Sequence, residues 1–417
     1  MSNAKPTELR ERIFTLDAIR GFALLGIFIM NMPGFSASLF QGADGTHMWP
    51  EWWDRTAEVL RDVLFSGKFN SMFSMLFAIG FILLLERLEA RDSQHATAIY
   101  LRRIGWLLVL GVIHACVFWT GDVLHMYALF GVALLALRRV PEKWLWALFV
   151  VSLLYPVAWG LYRLLTTSPE ETQAMIALLA QWEASNNVAY GTGSFLAAAR
   201  EHFREMVFLY TDPRPLLNFL AGFYVQLFTT MVLGLILGRR HFFQNAASHI
   251  EGVKRVQWAA LAIGVLTGAI YGYYEATVTD PLTPTALGAT ARLAYVLCRV
   301  ATMTFYVATI VRAVQSVAWR RFLAPIATVG RMPLTNYLLQ TLLATFIFYG
   351  WGLGFWGKVG PALQLLLAIA IYFIIQVPLS RWWLNRFTLG PMEYLWRVLT
   401  YGRASLRAAP SGASATV

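Results

Sequence analysis

Apolar runs recur from one end of this chain to the other, separated by short polar stretches. Crossing a hydrocarbon core takes about 20 apolar residues as a helix. Ten runs approach that length, at roughly 17–36, 62–86, 103–120, 121–138, 143–165, 215–238, 255–275, 290–312, 333–351 and 361–384. The pattern predicts an all-α, polytopic membrane helical bundle of about ten transmembrane helices, forming a single membrane domain over residues 1–403. Runs three and four are short and meet at a Thr120-Gly121-Asp122 turn.

Two connections are long. Residues 37–61 mix acidic side chains with Trp49, Trp52 and Trp53, which favour the headgroup level of a bilayer. In residues 166–214, stretches 170–182 and 194–210 predict short amphipathic helices, broken by Asn186-Asn187 and Gly191-Thr192-Gly193. That segment is either an outer lid or a solvated connector. Residues 315–323, ahead of Pro325, and residues 391–400 predict surface helices. The tail 404–417, rich in Ala, Ser, Gly and Pro, predicts disorder.

Composition agrees. Of 417 residues, 58% are hydrophobic and 14% charged, against about 25% charged in a soluble domain. The formal net charge is +11. Its basic residues lie between spans rather than in one patch, so the charge marks topology, not nucleic acid. With the N-terminus cytoplasmic, one side carries Arg87, Arg91, Arg102, Arg103, Arg138, Arg139, Arg239, Arg240, Arg320, Arg321, Arg331 and Arg397. Ten spans with both termini cytoplasmic follow, and no cleavable signal is expected. Cys116 and Cys298 sit in apolar runs and suggest no disulfide framework.

Polar groups inside apolar runs carry the candidate chemistry, because burying them costs free energy without partners. Asp17 and Arg20 share a helical face at the start of the first run. They form either an ion pair at the inner end or a guanidinium site for phosphates. Asn31 follows eleven residues later, about 16 Å along the axis. His114, Asp122 and His125 surround the tight turn between runs three and four. A carboxylate can orient an imidazole as a general base, and a packed histidine is the alternative. Their spacing has no strong metal signature, and no metal is expected. Arg292 and Arg299, seven apart in the eighth run, are expected to line a cavity or to pair with Glu275, Asp280 or Asp122. Asn336, Tyr337 and Gln340 form a polar face in the ninth run.

Several motifs resemble the YeiB-like family of bacterial inner-membrane proteins of unknown function. They are Leu16-Asp17-Ala18-Ile19-Arg20-Gly21 with Asn31, Gly111-Val112-Ile113-His114 followed by Gly121-Asp122-Val123-Leu124 and Tyr127, Val329-Gly330-Arg331-Met332-Pro333-Leu334-Thr335-Asn336-Tyr337, and Gly390-Pro391-Met392-Glu393-Tyr394-Leu395-Trp396-Arg397. The first motif is shared more widely. It is similar to the first helix of transmembrane acyltransferases of the heparan-glucosaminide acetyltransferase type and of the bacterial type that acylates surface glycans. The resemblance implies an acyl group taken from a cytosolic acyl-CoA donor and passed to a glycan, or another hydroxyl or amine, on the far side of a bacterial inner membrane. In the glycan type a catalytic histidine follows the basic residue by eleven positions, where this chain has Asn31.

The expected donor site is therefore Asp17, Arg20, Arg102 and Arg103. Expected catalytic residues are His114 as base, Asp122 as its orienting carboxylate and Asn31 as oxyanion donor, with His47 a second candidate base. Substrate contacts are expected at His125, Tyr127, Arg292, Arg299 and Asn336. The rival readings are a transporter built on an Asp122/His125/Arg299 cluster and a non-catalytic, lipid- or partner-binding scaffold. The bilayer is the expected partner, and a homodimer is compatible with the pattern.

Overall fold

A computed structural model describes residues 13–91, 93–278 and 282–402. The expected tail 404–417 lies outside the described residues. Those residues form helices α1 (Phe14–Ser36), α2 (Trp52–Leu64), α3 (Lys68–Arg91), α4 (Ala96–Val117), α5 (Leu124–Leu137), α6 (Glu142–Thr166), α7 (Pro169–Gly191), α8 (Phe195–Thr211) and α9 (Pro213–Phe219). They continue as α10 (Val225–Arg239), α11 (Ile250–Thr277), α12 (Ala286–Ala313), α13 (Val317–Gly330), α14 (Pro333–Phe348), α15 (Pro361–Ala370), α16 (Val377–Leu384) and α17 (Pro391–Tyr401). Single π-helical stretches, Leu220–Tyr224 and Ile371–Gln376, join α9 to α10 and α15 to α16.

Eight of these helical runs are long and apolar enough to cross a membrane. The remaining two expected spans correspond to α5, 14 residues, and α14, 16 residues. At 1.5 Å per residue these reach about 21 and 24 Å, short of a hydrocarbon core about 30 Å thick. The apolar run at 62–86 also divides. A turn at residues 65–67 separates amphipathic α2 from α3, and the outward-facing Trp52 and Trp53 of α2 suit an interfacial helix.

Helix α1 is the axis of the bundle. It packs against α3, α13, α14 and α15. Its crossing with α13 is a backbone-to-backbone contact: a Cβ on Gly21 would lie 2.0 Å from the Ile326 carbonyl oxygen, and one on Gly330 1.9 Å from that of Asp17. The segment expected to be a short surface helix ahead of Pro325 is thus the first half of a longer helix. Its second half buries Ile326, Ala327, Val329 and Gly330. Mid-helix carbonyls of α1 accept two further bonds, Gly21 from the Tyr372 hydroxyl at 2.7 Å and Leu24 from Gln340 Nε2 at 3.1 Å.

The long connection between α6 and α10 is an ordered cap. Ser168 and Glu171 close a capping box at the start of α7. The helix then runs through Asn186-Asn187 instead of breaking there. Both asparagines bond to other segments, Asn186 Nδ2 to Ser38 Oγ at 2.9 Å and Trp356 Nε1 to Asn187 Oδ1 at 2.8 Å. Engaged in this way, their side chains do not compete with the helix backbone. Tyr190 and Ala198 of the cap join Phe28, Phe35, Trp119, Phe348 and Tyr349 in an apolar cluster at the C-terminal end of α1.

Gly330→Leu should drive side-chain atoms into the α1 backbone, costing about 1–3 kcal/mol or more. Gly105→Ala, at a position with open space around it, should keep or raise stability by up to ~1 kcal/mol. Thermal unfolding of the purified protein in detergent, compared across the two variants, checks both.

Candidate functional site

The hairpin of α4 and α5 builds the densest polar cluster that the sequence picks out. A Cβ on Gly111 would sit 2.3 Å from the backbone nitrogen of His125, so only glycine lets the start of α5 come this close to α4. One turn beyond Gly111, His114 points its Nδ1 at Asp122 Oδ1, 2.8 Å away. Asp122 Oδ2 accepts from His125 Nδ1 at 2.9 Å and from the His125 backbone N–H at 3.2 Å. The Tyr337 hydroxyl donates to Oδ1 at 3.3 Å. All three ionisable side chains are buried. Each imidazole faces the carboxylate with Nδ1, so in its neutral form each presents Nε2 as an acceptor. His114 Nε2 is buried without a hydrogen-bond partner. His125 Nε2 takes the Tyr210 hydroxyl at 2.5 Å, and Tyr210 in turn lies 2.8 Å from the Tyr224 hydroxyl in the first π stretch.

A cavity of ≈ 330 Å³ runs along the N-terminal half of α1. Arg20, Arg87, Arg103, Arg331 and Arg397 line it, from four different helices and the α13–α14 junction. Leu24, Ile27, Leu76, Phe77 and Leu107 supply apolar wall, and Tyr127 and Tyr337 are also among the lining residues. Arg20 pairs with Asp17 at 2.8 Å. Arg103 stacks on the Trp396 ring at 3.5 Å, and the Trp396 indole N–H bonds the Arg103 carbonyl at 2.8 Å. Glu393 caps α14 by accepting from the Leu334 N–H at 2.7 Å and the Thr335 N–H at 3.1 Å. Burial holds its carboxyl above the usual carboxylate range, against the lowering effect of these bonds.

The expected residues divide accordingly. Asp17, Arg20, Arg103 and Tyr127 share this cavity, and Tyr337 links it to Asp122, His114 and His125. Arg102 is exposed and bonds the Thr400 carbonyl at 3.4 Å instead. Asn31 is half-buried, lines neither this cavity nor the one at the opposite end of α1, and is not hydrogen-bonded to the histidines. The supposed Asp122/His125/Arg299 cluster does not form. Fully buried Arg299 bonds Ser71 Oγ at 2.5 Å and the Gln226 carbonyl at 3.2 Å, with no ion pair to Asp122 or Glu275 among the described residues. Asp280 lies outside the described residues. Arg292 is half-buried, its side chain packed over Gly160 of α6. Asn336 is engaged between helices: its Nδ2 bonds Val329 O, Met332 O and Ser380 Oγ at 3.0–3.2 Å. His47 accepts from Arg55 at 2.8 Å in the loop after α1.

Two groups escaped the sequence reading. Arg331 and Arg397 stood in the quoted motifs, but only the fold brings them beside Arg20. In α8, Glu201, His202 and Glu205 lie on the buried stripe with Ala198 and Leu209. The Thr120 hydroxyl donates to Glu205 Oε2 at 2.5 Å, and His202 Nδ1 lies 2.9 Å from both Thr120 Oγ1 and the Tyr190 hydroxyl. The signal available was the i, i+3, i+4, i+7 spacing of Ala198, Glu201, His202 and Glu205, which puts acidic side chains on the stripe that faces the core.

Asp122→Ala would strip the acceptor from four donors at once. Leaving a buried donor without an acceptor costs about 1–3 kcal/mol, so a large fall in the unfolding midpoint is expected. Asp122→Asn retains one oxygen acceptor and should fall less. Thermal unfolding of both variants in detergent measures the difference.

Residues 237–403 match the family described as a protein of unknown function (DUF418). Along nearly its whole length the chain is similar to the uncharacterized protein YxaH of Bacillus subtilis (strain 168), 33% identical over 413 residues, 96% of this chain and 97% of that one. It is likewise similar to the uncharacterized protein YeiB of Escherichia coli (strain K12), 30% identical over 438 residues, 97% of this chain and 99% of that one. No solved structure matches the chain with significance. With its motifs, its membrane-crossing helices and these end-to-end relatives, the chain belongs to the YeiB-like family of membrane proteins.

Proposed function

We propose that this protein is an integral-membrane acyltransferase that takes its acyl group from a cytosolic acyl-CoA-type donor. One observation carries the reading: a cavity with five arginines among its lining residues also has Tyr337 in its wall, and Tyr337 touches the carboxylate that orients His114. Guanidinium groups suit the phosphates of a nucleotide-bearing donor. The leucine- and phenylalanine-rich wall suits an apolar arm and acyl chain.

In this reading Arg20 and Arg103 hold donor phosphates. His114 Nε2, the buried acceptor without a partner, removes the proton of an acceptor hydroxyl or amine as its oxygen or nitrogen attacks the thioester carbon. The C–S bond breaks, and the departing thiolate recovers the proton from the imidazolium, which Asp122 stabilises. Neither His114 nor Asp122 is on the cavity wall; the Tyr337 ring stands 5.4 Å from His114, centroid to centroid. Swinging of that ring would open the way between donor and base. In this reading the cavity faces the cytoplasm, which its five lining arginines and the charge bias of the connections support.

Purified protein should bind acetyl-CoA saturably, and Arg20→Ala should weaken binding about tenfold, the loss of one charge-assisted phosphate contact. His114→Ala should keep donor affinity but lower acyl transfer to a panel of amines and alcohols by ~10²-fold or more. Absence of acetyl-CoA binding, or unchanged turnover in His114→Ala, would overturn the reading. Solute flux in proteoliposomes without any acyl donor would favour transport instead.

A further inference from the structure

A second cavity, of ≈ 360 Å³, opens at the C-terminal end of α1. Its walls come from the chain just after α1, from α2, from Glu275 on α11 and from Gln364 on α15. Its volume is in the range of small-molecule sites, and its chemistry differs from that of the first cavity, because charged and amide side chains replace the apolar throat.

Two side chains there are left with unused acceptor capacity. Gln364 is only 5% exposed. Its Nε2 donates to Ser36 Oγ and to the Val359 carbonyl, both at 2.8 Å. The carbonyl can only accept, so the amide cannot turn over, and Oε1 is left buried with no hydrogen-bond partner. A buried acceptor in that condition is costly unless something donates to it. The neighbouring charges point the same way. Arg55 pairs with Glu58, and Arg61 holds Asp62 through two bonds of 2.9 Å. Glu275 has no ion pair among the described residues; its carboxylate accepts from the Tyr271 hydroxyl and keeps further lone pairs, and the Arg55 guanidinium reaches its backbone carbonyl at 3.4 Å. Lys68, behind the wall, spends its ammonium on the Asp62 carbonyl at 2.8 Å, between the rings of Tyr271 and Tyr295. The arginines of this wall are matched, while one amide oxygen has no partner and one carboxylate is met by a phenol rather than by a cation.

We propose that this cavity is a binding site for a small polar molecule rich in hydrogen-bond donors, a hydroxyl- or amino-bearing compound held by Gln364 Oε1 and the Glu275 carboxylate. The site stands on its own geometry and holds whether or not the chain transfers acyl groups. Asp54 of α2 keeps the wall in place: its carboxylate caps α15 by accepting from the Ala362 N–H at 2.9 Å, two residues before Gln364.

The test is saturation-transfer NMR and calorimetry on the full-length protein in detergent, with ethanolamine, glucosamine and glucose as donor-bearing probes and glycine betaine, which has no donor, as the contrast. Saturable binding of at least one donor-bearing probe is expected, with none for betaine. Glu275→Gln should weaken amine probes about tenfold and glucose less. If hydroxyls alone supply the recognition, glucose and glucosamine bind equally and Gln364→Leu weakens both. Gln364→Glu, which keeps an acceptor at the same place, is the second variant should Gln364→Leu fail to fold, and it should still bind glucosamine. No saturable binding of any donor-bearing probe, equal binding of betaine, or affinities unmoved in both Glu275→Gln and Gln364→Leu would overturn the proposal.

Discussion

The Asp122 carboxylate has no exposed side-chain surface, and its two oxygens accept from two imidazoles, a phenol and a backbone N–H. A carboxylate in such surroundings is tolerable only when its lone pairs are satisfied, because desolvation of a lone charge costs several kcal/mol. Four donors meet that requirement and impose a geometry in doing so. They tie the end of α4 to the start of α5 and to the first turns of α14. Through His125, Tyr210 and Tyr224 the chain of donors extends to α8 and to the π stretch before α10. These bonds join side chains from three segments in one buried network. The same arrangement engages His114 through Nδ1 and leaves its Nε2 buried without a partner.

Much of this was legible in the chain. Apolar runs of bilayer length located the long helices, and the His114–Asp122–His125 spacing located the hairpin cluster, since a turn that short leaves its flanking side chains no room to separate. Span counting was weakest where helices fall below bilayer length, as at α5 and α14. Hydropathy sees an apolar stretch there but not where the helix ends. The division at residues 65–67 was hidden for a related reason: apolar residues continue through the turn, and only the break at Gly67, with its positive φ, separates α2 from α3.

The partners of buried charges were not legible. Arg299 looked like the mate of a carboxylate, yet it spends its bonds on a serine and a backbone carbonyl. Nothing local to residue 299 encodes Ser71 or Gln226, which approach it from other helices. Asn336 misled in the opposite direction. A polar residue in an apolar run suggests a ligand contact, but here it joins Ser380 and Gln376 across a helix seam, a contact of the kind worth about 0.6 kcal/mol on average. His202 and Glu205 were not singled out in the sequence. They belong to its buried stripe, because α8 lies over the α4–α5 turn rather than in solvent.

Helix α1 gives the two cavities their relation. Its N-terminal half lines the arginine-rich one, and the residues from Pro33 onward line the other. Between them the helix is held by the glycine crossing with α13, by the Phe69 ring seated against Gly26, and by bonds from Tyr372 and Gln340 to its own carbonyls. Sliding α1 would break these contacts together, since backbone atoms in direct contact leave no slack to absorb a shift. The separation between the cavities is therefore fixed by the scaffold. Between the arginine-rich cavity and His114 stands Tyr337, shared between the cavity wall and Asp122.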